Sequence, residues 1–147
     1  KVLKEFLDTD KERCIIFEDD LKIKYNTYKT VNLLLDTLHN IPDNCDILYL
    51  GYCWEKCNNI TQYNNYVSTG INPHCRHAYI INRHAAEIIL ENTSIMYNNG
   101  DNMYAHLIKG GKLKSYISNY FLFKQNRENL GSNLDNLVIK NHDCYNL

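Results

Sequence analysis

The chain has no apolar run long enough to cross a bilayer, no excess charge of either sign, no closely paired cysteines and almost no proline. No stretch approaches the roughly 18 apolar residues of a membrane helix, so no membrane span is expected. The N-terminus also lacks the basic, apolar and small-residue layout of a signal peptide. A formal net charge of -1 exerts no global pull toward nucleic acid or an anionic membrane, so neither is an expected partner and any charge-driven function must be local. Cysteine never occurs as CxxC; Cys53 and Cys57 are four apart, which makes a structural zinc site a minor reading. Only 2 prolines stand against a free use of Asn and Tyr, a bias that suits A+T-rich codons as much as structure. Because it starts at Lys1 rather than Met, the chain reads as a trimmed piece of a longer protein. Its localisation therefore stays open between the cytoplasm and the endoplasmic reticulum lumen.

What is present fits one compact domain. A chain of 147 residues buries roughly two thirds of its unfolded surface on folding, and 44% apolar with 22% charged residues is ordinary for a globular protein. The 6 cysteines form an even set that admits many pairings in an oxidising compartment. Cys14, inside an apolar run, reads as a small buried hydrophobe. The sequons at Asn59 and Asn92 are expected by chance in a chain so rich in Asn.

Strand and helix patterns alternate. "RCIIFED" (13–19) is too brief for a helix and reads as a buried strand. In "YNTYKTVNLLLDTLHNI", Tyr28, Val31, Leu34, Leu35 and Leu38 recur at helical spacing, with Asn26 or Thr27 as N-cap and Pro42 closing the segment. "CDILYLGY" (45–52) reads as a second buried strand. Residues 53–73 lack periodicity and read as a long loop or small hairpin. A strand over 78–81 passes into a helix over 83–91 capped by Asn82, and a further helix over 101–109 stops at Gly110-Gly111. Residues 114–125 read as a last strand, and the tail from Asn126 as irregular. The whole implies an α/β fold with a largely parallel or mixed sheet flanked by helices, whose ligands gather at the carboxyl ends of strands.

The apolar run "CIIFEDDL" ends in Glu18, Asp19 and Asp20 at such a carboxyl end. On an extended segment alternate side chains share a side, so Glu18 and Asp20 would point together and Asp19 away. Two carboxylates at a crevice repel unless a cation lies between them, and Mn²⁺ or Mg²⁺, with its taste for oxygen, fits. The plainer readings are a solvated turn or a helix cap.

In order, "CIIFEDDL", "DILYLG", "HAYIINRHAAEIIL", "NNGDNMY" and "LFKQNRENLGSNL" cover nearly the whole chain, and their succession resembles glycosyltransferase family 25. That family contains lipooligosaccharide and procollagen galactosyltransferases. The resemblance implies a GT-A-like, partly Rossmann-like domain that transfers galactose or glucose from a UDP-sugar to a glycan or hydroxylysine hydroxyl with inversion. Glu18, Asp19 and Asp20 would bind the metal and diphosphate, with Glu18 and Asp20 as metal ligands. Asp101 would be the general base, its alternative being a helix N-cap. His77, Gln125 and Ser132 would contact donor or acceptor, or serve local structure. Trp54 could stack on a sugar or anchor its loop, and His142 lies outside the predicted set. Only Lys1 to Glu12 precede the acidic motif, where the family has a longer nucleotide-binding segment. The chain is thus expected to be the C-terminal part of the domain, its open sheet edge covered by the missing half, a partner or a homodimer. The alternative to an enzyme is a sugar- or nucleotide-binding remnant without turnover.

Overall fold

A computed structural model describes residues 1–53, 55 and 57–126. Ser132, Trp54 and His142, together with the tail expected to be irregular, lie outside the described residues apart from Asn126. The elements are α1 (Val2–Leu7), β1 (Arg13–Phe17), β2 (Leu21–Ile23), α2 (Thr27–His39), β3 (Ile47–Cys53), β4 (Val67–Thr69), β5 (His74–Asn82), α3 (Arg83–Asn92), α4 (Gly100–Lys109), β6 (Ser115–Ser118) and β7 (Phe123–Gln125), with a 3₁₀ turn at Cys57–Asn59.

Five strands form one mixed sheet in the order β1-β5-β3-β6-β4, and β2 pairs with β7 in a second, two-stranded sheet. Only β3 and β6 run parallel; the other neighbours in both sheets are antiparallel. The sheet is therefore mixed and mostly antiparallel, with helices flanking it.

β3 explains why "ILYLGYC" is apolar without alternation. All seven of its residues are buried, because both sheet faces are covered. Ile47 and Tyr49 face a core built with Phe6, Ala85, Ile89, Tyr104 and Leu107. Leu48 and Leu50 face the opposite core, where Leu33, Leu34 and Leu38 of α2 pack.

Helix boundaries follow local chemistry. Asn26 caps α2 by accepting from Lys29 N at 2.9 Å, and Asn82 caps α3 by accepting from Ala85 N at 2.7 Å. The buried face of α2, however, is rotated from the expected one. Tyr28, Val31 and Leu35 are exposed, while Thr30 and Thr37 are buried beside the inward leucines. Threonine can occupy that face because Thr30 donates to Asn26 O at 3.0 Å and Thr37 to Leu33 O at 2.7 Å, leaving neither hydroxyl unsatisfied.

One further expectation changes. The strand expected over 114–125 is interrupted: β6 ends at Ser118, and the chain crosses to the second sheet before β7. Ser118 Oγ donates to Tyr120 O at 2.8 Å, a local turn bond that replaces ladder pairing. Within 53–73 the hairpin alternative holds in part: an antiparallel bridge joins Gln62 to Ser68, and β4 adds an edge strand to β6. The start of that stretch is tied by a disulfide between Cys53 and Cys75, whose Cα atoms are 5.4 Å apart, so Cys53 is not available for zinc. Cys14 is only half-buried, whereas Cys45 is fully buried and burial pushes its thiol up to about 12. The Asn92 side chain is engaged at both ends, donating to Ile88 O and accepting from Lys112, which disfavours a glycan there.

Candidate functional site

β1 ends at Phe17, but Glu18 N still donates to His77 O at 2.9 Å, extending the pairing with β5 by one rung. The chain then turns at Asp19-Asp20 into β2. Strand alternation therefore does not orient these acids; a turn does. The outcome is nonetheless that Glu18 and Asp20 are half-buried and Asp19 is exposed.

Asp20 is fixed from a distant part of the sequence. β7 lies antiparallel to β2 with Gln125 opposite Leu21. Gln125 Nε2 donates to Asp20 Oδ2 at 3.0 Å, and Asn126 N donates to Asp20 O at 2.6 Å. The other carboxylate oxygen, Asp20 Oδ1, is buried with no hydrogen-bond partner among the described residues. A buried anionic oxygen in that state is costly, and a cation would offset the cost.

His77 is buried and donates from Nε2 to Phe123 O at 3.1 Å. Its ring rests over Gly51, where a Cβ would fall inside 3.0 Å of both His77 Nε2 and Phe123 O. His77 thus joins β5 to β7 and, through its carbonyl, to Glu18. This is the behaviour of a structural histidine that also frames the site.

Asp101 does not cap its helix. Asn99 does, accepting from Asn102 N at 2.9 Å, which leaves the Asp101 carboxylate for another use. Its Oδ1 accepts from Arg76 Nε at 2.9 Å in a partly buried ion pair. The Arg76 guanidinium lies 4.5 Å over the Tyr104 ring, and Gly100 gives it room, since a Cβ there would collide with the guanidinium. Burial works against the Arg76 charge, but the Asp101 hydrogen bond, with Tyr104 and Tyr79, outweighs it and the group titrates well above its usual range. Sequence reasoning missed Arg76. The available signal was a charged residue in the approach to an apolar strand, "HCRHAYIIN", which needs an anionic partner once buried.

Glu18 belongs to the same electrostatic group. Burial raises its carboxyl above the usual value; Arg76 opposes the rise, while Asp101, Asp20 and Asp19 add to it. His74 is held below its usual value by burial, with Asp101 opposing and Lys109 assisting. Buried Tyr49 lies close enough for the Asp101, Arg76, Tyr104 and Glu55 charges to act on it, and its hydroxyl has no hydrogen-bond partner among the described residues. Nearby, the buried Glu55 carboxylate accepts from Ile71 N at 3.0 Å and Asn72 N at 2.9 Å, pinning the turn that leads into β5.

The sign of the Glu18 shift gives a stability prediction. A carboxyl whose folded pKa is raised binds its proton more tightly when folded, so stability falls as pH climbs from the unfolded value through the raised one. Glu18→Gln is therefore expected to be more stable than the parent at pH 7, with the gap closing below the ordinary value of 4.5. Urea unfolding at both pH values checks this, and a variant less stable at pH 7 would show that Glu18 is favourably paired.

Five of the predicted residues, Glu18, Asp20, His77, Gln125 and Asp101, are thus linked by direct bonds or through their charges. Asp19 faces outward. No group of three His, Cys, Asp or Glu side chains positioned to hold a metal occurs among the described residues. Any cation bound by Glu18 and Asp20 would share its remaining coordination with ligand oxygens or water. No protein-family model and no curated protein sequence matches the chain.

Proposed function

We propose that the chain belongs to a metal-dependent, GT-A-like glycosyltransferase that moves galactose or glucose from a UDP-sugar to a hydroxyl of a glycan or collagen-like acceptor. The motif order resembling family 25 motivates the reading. The observation that carries it is Asp20, half-buried and held at Oδ2 by Gln125, with Oδ1 buried and without a hydrogen-bond partner among the described residues. Glu18, burdened by neighbouring carboxylates, would gain from the same cation. Glu18 and Asp20 would hold Mn²⁺ or Mg²⁺, which when bound neutralises charge on a departing diphosphate. Gln125 keeps Asp20 oriented, and His77 keeps β7 seated on β5. Arg76 fixes one oxygen of Asp101 and leaves Oδ2 to accept a proton from an acceptor hydroxyl.

One observation favours the second reading, a binding module without turnover. The Asp101 carboxylate is already engaged by Arg76 at 2.9 Å, a contact that also serves simply to tie α4 to β5.

The test is thermal unfolding with Mn²⁺, with and without UDP, on the parent and on Asp20→Ala. Ligand at a hundred times its Kd adds about 2.7 kcal/mol, roughly 5–10 °C for a domain of this size. Stabilisation that requires Mn²⁺, grows with UDP and disappears in Asp20→Ala supports the site. An unmoved midpoint in the parent removes the metal reading.

A further inference from the structure

We infer that the Cys53–Cys75 disulfide positions Arg76 and, through it, Asp101, so that the candidate site is assembled only in the oxidised protein. The argument begins with register. Along β3 and β5 the pairs Gly51↔Ala78 and Cys53↔His74 advance two residues on one strand and four on the other. The surplus is a bulge at Cys75, Arg76 and His77, and bulges re-aim side chains.

Cys75 adopts φ +63°, and it is the only non-glycine residue with positive φ among the described residues. A cysteine has no intrinsic reason to adopt a left-handed conformation, which costs on the order of 1 kcal/mol or more. Something must hold it there, and the bond to Cys53 does so at the rung that closes the bulge.

The consequence appears in Arg76. Its strand parity matches Ala78 and Ile80, which pack in the core shared with α2, yet its guanidinium lies over Tyr104 of the opposite core and bonds Asp101. The bulge allows that reach. Without the bridge, Cys75 is free to relax to negative φ, the bulge can redistribute, and Arg76 loses its aim at α4. Both sulfur-bearing residues are buried, at 2% and 6% exposure, which suits a permanent tie made where thiols are oxidised. The functional weight of this inference rests on the sugar-transfer reading; its structural claim does not.

Reduction by a phosphine in water breaks the S–S bond, gives two thiols that take the protons of one water, and converts the phosphine to its oxide. The full chain is compared before and after such reduction, alongside Cys53→Ala/Cys75→Ala, in which alanine, like cysteine, disfavours the left-handed conformation and no bridge holds it there. The readout is hydrogen exchange at Arg76 Nε–H and at the Tyr79 and Ile81 amides. We expect Arg76 Nε–H to exchange at least about tenfold faster without the bridge, as for loss of roughly 1.4 kcal/mol of protection, while the Tyr79 and Ile81 amides stay protected. Two results overturn the inference. Arg76 protection unchanged within twofold means the bridge does not position it, and simultaneous loss at Tyr79 and Ile81 means the bridge is only a global staple. Absence of any Mn²⁺ and UDP response in the oxidised protein would count against sugar transfer and leave the Arg76 result interpretable.

Discussion

Gly51→Ala should cost about 3 kcal/mol or more, a large share of the stability of a domain this size. The new Cβ would collide with a backbone carbonyl, Phe123 O, and with His77 Nε2. Neither can yield cheaply, because the two are hydrogen-bonded to each other at 3.1 Å and His77 is buried. The lowest-energy response is for β7 to lift away. That would carry Gln125 off Asp20, so the acidic turn should loosen together with the fold. Gly70→Ala is a milder comparison, since its Cβ would sit tightly, 3.0 Å from the Ser115 hydroxyl, 3.2 Å from Ile117 and 3.3 Å from the Tyr116 backbone, without colliding. Urea unfolding of both variants measures the difference. A Gly51→Ala loss below about 1 kcal/mol, typical of tolerated swaps, would mean that β7 is not seated on β3 and β5 as described.

Under the sugar-transfer proposal, Asp101→Asn should lower turnover by about a hundred- to ten-thousand-fold, the usual range for a lost general base. The fold should survive, because the asparagine carbonyl still accepts from Arg76 Nε as Asp101 Oδ1 does now. Binding of Mn²⁺ and UDP, assigned to Glu18 and Asp20, should change little. UDP release from UDP-galactose and UDP-glucose, measured beside the midpoint shift, separates these effects. Turnover that is present and indifferent to the substitution would remove Asp101 as base. Binding without turnover in either protein would favour the non-catalytic reading, for which the Arg76 ion pair already argues.

Much of the secondary structure was legible because it is decided locally. The apolar run at β3 is buried on both faces, as its lack of alternation implies. Asn26 and Asn82 cap their helices because short polar side chains satisfy the first free N–H groups, a rule that operates within a few residues. The face of α2 was less legible. Two overlapping helical stripes compete there, one of Tyr28, Val31, Leu34, Leu35 and Leu38 and the other of Thr30, Leu34, Thr37 and Leu38. Hydropathy prefers the first, whereas threonine hydroxyls that bond back to the helix make the second buriable.

By itself, then, the sequence determined most of the strands and helices and an acidic turn at the end of a buried strand, while the strand directions stayed open between largely parallel and mixed. Those elements follow from side-chain periodicity and short-range capping. Only the tertiary structure decided what those acids meet. Gln125 reaches Asp20 across a separation of 105 residues because β7 leaves the main sheet to pair with β2. Arg76 reaches Asp101 because a bulge closed by Cys53 and Cys75 turns it toward α4. Partners so distant in sequence leave no periodic trace, since their pairing is set by strand register and by the space that Gly51 and Gly100 leave open.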